Sequence, residues 1–329
     1  MNAANLAKCL KGRLSKIDLE NLARKCGLTI ARHNKTYVSN KLSHHLLVTY
    51  LKEQVDCAER LLLQPDEKLK LGSIAGKLNK ASESQLETYK VVGSSLPKSI
   101  ISIDVGIKNL AYVHMTCSGK ILDWKTFSLN LESSKPKDFI EKLLPIVHQV
   151  FLPKQFSSNC DDNRETVDMF IIERQSFRQK ASAHLINVMI VESMLFALLS
   201  YKNHKKVQSS SPLVVNGYLD MIMSIEDDSI NKKQHYLEGI DIAHWLHAQG
   251  KKSEIKKYLR SHKRTKKLSK LLVDYWIKDH PNLCSEEFSK YFSEAEKKDD
   301  LADCFIQGLV YLSCKRSSIL EAYRWILEQ

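Results

Sequence analysis

Ser99–Met115 reads SIISIDVGIKNLAYVHM, and the reading of the whole chain turns on what its single acid, Asp104, serves. Ile100, Ile101, Ile103 and Val105 make a β-branched apolar run that predicts a buried strand. Gly106 supplies a turn before Leu110, Ala111, Tyr112 and Val113 begin a second strand. A carboxylate that neighbouring strands withdraw from water needs a cation or hydrogen-bond donors to meet it. The simpler role for an acid in Asp-x-Gly is to cap the following turn through its own backbone.

Working outward, Ser99–Val105, Leu110–Cys117 and Lys120–Leu129 read as three strands, the last two joined by a tight turn at Ser118-Gly119. That is an antiparallel meander. Pro136–Phe151 follows as a helix with Phe139, Leu143, Leu144 and Val147 on one face. Val167–Ile172 is another apolar run, and it ends at Glu173, so a second strand delivers a carboxylate at its tip. Gln179–Tyr201 reads as a long helix, Val207–Ser209 as a short strand and Pro212–Ile225 as a helix. Asp227–Gly250 has no clear period and reads as an insertion. Lys251–Ile277 is helical in pattern, Asp299–Cys314 is an amphipathic helix that starts with acids, and Ser317–Leu327 closes the chain as a separate helix.

Before Ser99 the composition changes. Leu14, Ile17, Leu19 and Leu22 have the spacing of one short helix, and Leu42, Leu46, Leu47 and Tyr50 that of a second. Cys26-Gly27-Leu28 ends the first where a C-terminal glycine is expected. Leu-x-x-Leu, Gly-Leu, a basic polar stretch and Lys41-Leu42 with further leucines resemble the SAP DNA-binding motif, over about forty residues. A basic helical hairpin of any other kind would share that pattern. Gln64–Pro97 is polar, broken by Gly72, Gly76 and Gly93, and reads as a helix fragment plus linker. The expected division is therefore a helical module over 1–60, a linker over 61–97 and a catalytic domain over 98–329.

The 329 residues carry a formal net charge of +12, which favours a polyanionic partner. No apolar run approaches the roughly 20 residues that span a bilayer, so no integral membrane segment is expected. The eight cysteines are scattered without a C-x-x-C pair, which predicts neither a zinc site nor a disulfide framework and suits a reducing compartment. Lys8, Lys11, Arg13 and Lys16 precede the first acid, Asp18, a composition that permits a mitochondrial presequence.

Asp299, Asp300 and Asp303 stand at the start of KKDDLADCFIQGLVYL. Acids there complement the helix dipole, which explains one or two of them. It explains Asp303, a turn inside, less well. On a helical wheel Asp299 and Asp303 fall at the margin of the apolar face, with Asp300 turned further toward solvent. Spacing i, i+4 stacks Asp299 over Asp303, and Asp300 with Asp303 at i, i+3 is the competing pair.

An acid on the first strand, an acid at a later strand's end and acids on a terminal helix, in that order after a meander, resemble the ribonuclease H-like nucleases. IDVGIKNLAY, IIERQSFR and KKDDLADCF resemble the three motifs of the fungal mitochondrial Holliday junction resolvases, relatives of the bacterial RuvC resolvases. The likeness covers most of Ser99–Leu327. It implies an α/β, ribonuclease H-like fold, a mixed five-stranded sheet flanked by helices, beside the small N-terminal helical module. It also implies a mitochondrial-matrix homodimer that nicks two opposed strands of a four-way DNA junction with magnesium. The family's acidic ligands match Asp104, Glu173, Asp299 and Asp303, with Asp300 as a substitute.

The residue types suit that chemistry independently. Hard carboxylate oxygens take Mg2+, with Mn2+ as a substitute, and two ions about 4 Å apart clamp the attacking water and leaving oxygen of an in-line phosphodiester displacement. No covalent nucleophile and no nucleotide cofactor is then required. Lys251–Lys270 holds many cations and one acid, Glu254; Arg260, Lys263, Arg264, Lys266, Lys267 and Lys270 are the candidate phosphate contacts in it. Lys108 beside the first motif, and Arg174, Gln175 and Arg178 directly after Glu173, are further candidates for DNA contact, and Phe177 for stacking on an opened base pair. Two other classes share parts of the pattern. Asp-x-Gly-x-Lys-Asn also resembles the first phosphate loop of actin-fold and sugar-kinase phosphotransferases, but a chain with 11 glycines and no Gly-Gly pair lacks the other loops. A non-catalytic DNA-binding scaffold would explain the charge and not the complete acidic set.

Overall fold

The computed structural model describes residues 3–29, 34–63, 96–131, 135–151, 167–175, 183–203, 207–224 and 264–327. They cluster into two compact units, residues 97–311 and residues 1–96 with 312–329.

The larger unit is organised by β1 (Ser99–Val105), β2 (Asn109–Thr116), β3 (Ile121–Ser128), β4 (Met169–Glu173) and β5 (Val207–Ser210). These form one five-stranded sheet in the order β3-β2-β1-β4-β5. β1, β2 and β3 are the antiparallel meander, and β4 and β5 run parallel to β1. The expected mixed five-stranded sheet flanked by helices is what the chain forms. Gly106 makes the β1–β2 turn: its N–H donates to the Asn109 carbonyl at 3.0 Å, and a Cβ there would stand 2.7 Å from that oxygen.

Period-2 alternation gives the sheet two unlike faces. On one, Ile101, Ile103, Val105, Tyr112, Phe170 and Ile172 are buried against α4 (Pro136–Ile146) and α5 (Ala183–Asn203), through Phe139, Leu143, Val188, Val191, Leu195 and Leu199. Pro145 lies within α4, and the chain widens to a π-helical turn over Val147–Phe151 directly after it. α6 (Pro212–Ser224) follows β5.

The other face receives the start of α9 (Lys298–Leu327), with α7 (Arg264–Asp279) and α8 (Glu286–Glu294) beside it. Trp124 of β3 stacks on Phe292 at 4.9 Å between ring centroids and lies 5.5 Å from Phe305, which in turn meets Trp276 at 5.9 Å. The Trp124 indole N–H donates to the Leu301 carbonyl at 3.2 Å, fixing the first turns of α9 to β3. Further along, Gln307 donates to the carbonyls of Ile103 and Ile171, both at 3.4 Å. Gly308 brings the helix close: a Cβ there would lie 2.9 Å from Met115 Cε and 3.1 Å from Ser102 Cβ.

The smaller unit contains α1 (Ala3–Arg13), α2 (Lys16–Lys25), α3 (Lys35–Leu63) and the end of α9. Its core joins Leu6, Leu10, Leu19, Ala23, Val38, Leu42 and Leu46 to Ala322 and Trp325. Ser15 and Asp18 form a capping box at the start of α2, and Gly27, with φ 76°, ends that helix as expected.

Four sequence expectations need correction. The module has three helices where two were read, because Ala3–Arg13 forms its own helix and buries Leu6 and Leu10. It is also completed by residues 312–329, which the sequence division had assigned to the 98–329 domain. Cys314–Ser318 looked like a break, yet α9 is continuous, since Ser317, Ser318 and Ile319 are buried and Ser318 has partners inside the unit. Ser318 Oγ, for example, donates to the Cys26 carbonyl at 3.0 Å. Finally α8 was not read at all; its short pattern hides one buried anchor, Phe292. Residues 64–95 of the expected linker 61–97, the insertion 227–250 and the basic run 251–263 lie outside the described residues, and residues 61–63 belong to α3. No helix among the described residues is long and apolar enough to cross a membrane.

Candidate active site

Parallel pairing of β1 with β4 sets Ile103 opposite Ile172. One residue further on, Asp104 and Glu173 therefore leave their strands on the same face, and their side chains are hydrogen-bonded to each other. A hydrogen bond between two carboxyl groups requires a proton on one of them. Burial, then the charge and hydrogen bond of Glu173, then the charges of Asp303 and Asp300, hold Asp104 well above the usual carboxylate range. Strand and helix acids separated by up to about two hundred positions thus converge on one spot.

Asp300 and Asp303 arrive from the first turns of α9 because that helix is pinned to this face by Trp124, Gln307 and Gly308. Asp300 is partly buried, not turned to solvent as the helical wheel suggested, and its Oδ2 accepts a hydrogen bond from Asn109 Nδ2 at 3.2 Å. Asn109 lies inside the first motif and was not singled out from sequence; nothing in a polar residue at a strand start signals which acid it will meet. Asp299 is likewise partly buried in that first turn. Buried Cys304 is raised well above its usual range by desolvation first and then by Asp104, which places the thiol behind the cluster.

Around Glu173 the chain is held tightly. Arg174 N–H donates to the Ser210 carbonyl at 2.7 Å, continuing the β4–β5 pairing, while its side chain is exposed. Gln175 Nε2 donates to Glu173 Oε2 at 3.1 Å, and the Gln175 backbone N–H donates to Glu192 Oε2 of α5 at 2.9 Å. Desolvation raises the half-buried Glu192 carboxyl; the Gln175 N–H and Arg174 oppose that, and Glu173 adds to it.

Of the candidate DNA contacts, Lys108 and Lys267 are exposed and Lys270 is partly buried. Arg264 and Lys266 lie in the first turn of α7. Phe177, Arg178, Arg260 and Lys263 lie outside the described residues. The donor set at the acidic cluster is all carboxylate oxygen, which fits a hard divalent cation and not a soft one. Among the described residues no three His, Cys, Asp or Glu side chains already stand as ligands around one point, so a cation would have to displace the shared proton and draw the carboxylates inward.

Residues 100–318 match the catalytic-domain model of a family described as mitochondrial resolvase Ydc2 / RNA splicing MRS1. The chain belongs to this mitochondrial resolvase family. Resolvases are nucleases that hydrolyse phosphodiester bonds, and the family match spans all three motifs read above, from Asp104 through Glu173 to Asp303. Among solved structures, this resolvase-family chain is similar to the yeast mitochondrial Holliday junction resolvase Ydc2, at 19% identity, 77% of this chain and 95% of that chain covered, and a TM-score of 0.43. No curated protein matches it by sequence.

Proposed function

We propose that this chain is a structure-specific endodeoxyribonuclease that resolves four-way DNA junctions in the mitochondrial matrix by nicking two opposed strands as a homodimer. The observation that carries the reading is the meeting of Asp104 and Glu173 from parallel strands with Asp300 and Asp303 from α9. The family description also names an RNA-splicing protein, and binding a folded RNA needs no such cluster of acids.

Asp104, Glu173, Asp300 and Asp303, with Asp299 beside them, would hold two Mg2+ ions. Bound there, those ions supply Lewis-acid activation of water and neutralise charge on the leaving 3′-oxygen. Asp104, which meets Glu173 by a hydrogen bond and feels the charges of Asp303 and Asp300, would contribute a ligand oxygen between the strand and helix acids. Asn109 orients Asp300 through its side-chain amide. Lys108 and Arg174, exposed at the ends of the strands that carry the acids, contact phosphates flanking the cut. Arg178, Arg260, Lys263, Arg264, Lys266, Lys267 and Lys270 would contact phosphates along the junction arms, and the basic helical module over 1–60 would add a second DNA contact. α5 is rich in apolar residues, and its exposed Ile186, Phe196 and Tyr201 support a second copy as partner.

Asp104→Asn tests the assignment. The substitution is expected to abolish Mg2+-dependent cleavage of a synthetic four-way junction while junction affinity stays at the wild-type level. Loss of binding in step with loss of cleavage, or equal cleavage of junction and matching duplex by the wild type, would overturn it.

A further inference from the structure

Glu173 is the last residue of β4, and Gln175 lies two positions beyond it with its side chain turned back toward Glu173. The Gln175 amide uses this to donate to Glu173 Oε2 at 3.1 Å. The main chain that carries this amide is fixed in turn: the Gln175 backbone N–H donates to Glu192 Oε2 at 2.9 Å, and Glu192 stands on α5, the helix that packs the opposite, apolar face. Arg174 between them is fixed to Ser210 of β5 at 2.7 Å. The two residues after Glu173 are thus held by two different elements, β5 and α5.

From this, and resting on the nuclease reading above, we infer that Gln175 is a positioning residue for the divalent-cation ligand Glu173, and that Glu192 holds Gln175 in place. Gln175 had been read from sequence as a DNA contact. A neutral amide donor suits the role better than a cation would. It fixes one carboxylate oxygen without neutralising the charge that the cation needs, and leaves the other oxygen for the cation. Groups that orient a ligand carboxylate from behind are worth about 10–100-fold in metal affinity when removed.

The test is titration of Mg2+ into the full-length chain without DNA, alongside the Mg2+ dependence of junction cleavage and the junction affinity in EDTA. Gln175→Met, which keeps length and loses the donor, is expected to weaken Mg2+ binding about tenfold. The Mg2+ concentration for half-maximal cleavage should rise by the same factor, with junction affinity unchanged. Glu192→Ala is expected to weaken Mg2+ binding in the same direction, and Glu192→Gln, which retains an acceptor for the N–H, to restore it. This second pair carries the test if Gln175→Met does not fold. Mg2+ binding as tight as wild type in both Gln175→Met and Glu192→Ala would overturn the inference. So would a fall in junction affinity with Mg2+ binding intact, which would return Gln175 to the DNA. A wild-type chain that neither binds Mg2+ nor cleaves would instead remove the nuclease reading, and the inference with it.

Discussion

One face of the sheet presents Ile101, Ile103, Val105, Phe170 and Ile172 to α4 and α5. The other, one residue out of phase along the same strands, presents Ser102, Asp104, Ile171 and Glu173 toward α9. The first is a packed apolar core. The second is held by aromatic packing, two long hydrogen bonds from Gln307 and the close approach at Gly308, and ends in four converging carboxyl groups. A single strand can thus anchor a core with its odd residues and build a site with its even ones. The stability invested on one side is what holds mutually repelling acids on the other.

The largest effect on stability should come from the apolar side. Phe139→Ala is expected to cost about 3–5 kcal/mol in urea unfolding. It should leave the cleavage rate of the folded fraction unchanged. A specific loss of cleavage there would mean that the two faces are not separable in function.

Gly308→Val should cost less stability and more activity. The new side chain must displace Met115 and push against Ser102, for about 1–3 kcal/mol. Lifting α9 carries Asp300 and Asp303 away from Asp104, and a misplacement of about 1 Å is enough to lower cleavage on the order of 10²-fold. Cleavage at the wild-type rate would show that the helix need not lie so close.

The smallest effect is the most diagnostic of the acidic side. Asp104 holds its proton more strongly when folded than when unfolded, so the stability tied to that proton is complete below the ordinary carboxylate range. It is lost as the pH rises through the raised folded value. In EDTA, Asp104→Asn removes this loss, and its melting temperature should exceed that of the wild type by a margin that widens with pH. Parallel melting curves across the pH range would mean that Asp104 does not carry the repulsion.

Much of this was legible in the chain itself. Alternating β-branched residues at Ile101, Ile103 and Val105, the Ser118-Gly119 turn and the apolar run before Glu173 gave the meander and β4, because period and turn chemistry are local properties. The acids were visible as three separated strings. Their partners were not: Asn109, Gln175, Glu192 and Gly308 have no local signature, since each matters only for what it meets across the fold. The helical wheel misjudged Asp300 for the same reason, as a wheel describes a helix in isolation and Asn109 stands on a strand nearly two hundred residues away.

The sequence by itself determined the order of the strands along the chain, the cationic character of the chain and the inventory of carboxylates, all set by composition and short-range periodicity. Only the tertiary structure decided which carboxylates meet, since that depends on parallel β1–β4 register and on how closely a glycine lets α9 approach the sheet. It also decided that residues 312–329 complete the N-terminal unit, because Ala322 and Trp325 find their apolar partners on helices nearly three hundred positions earlier.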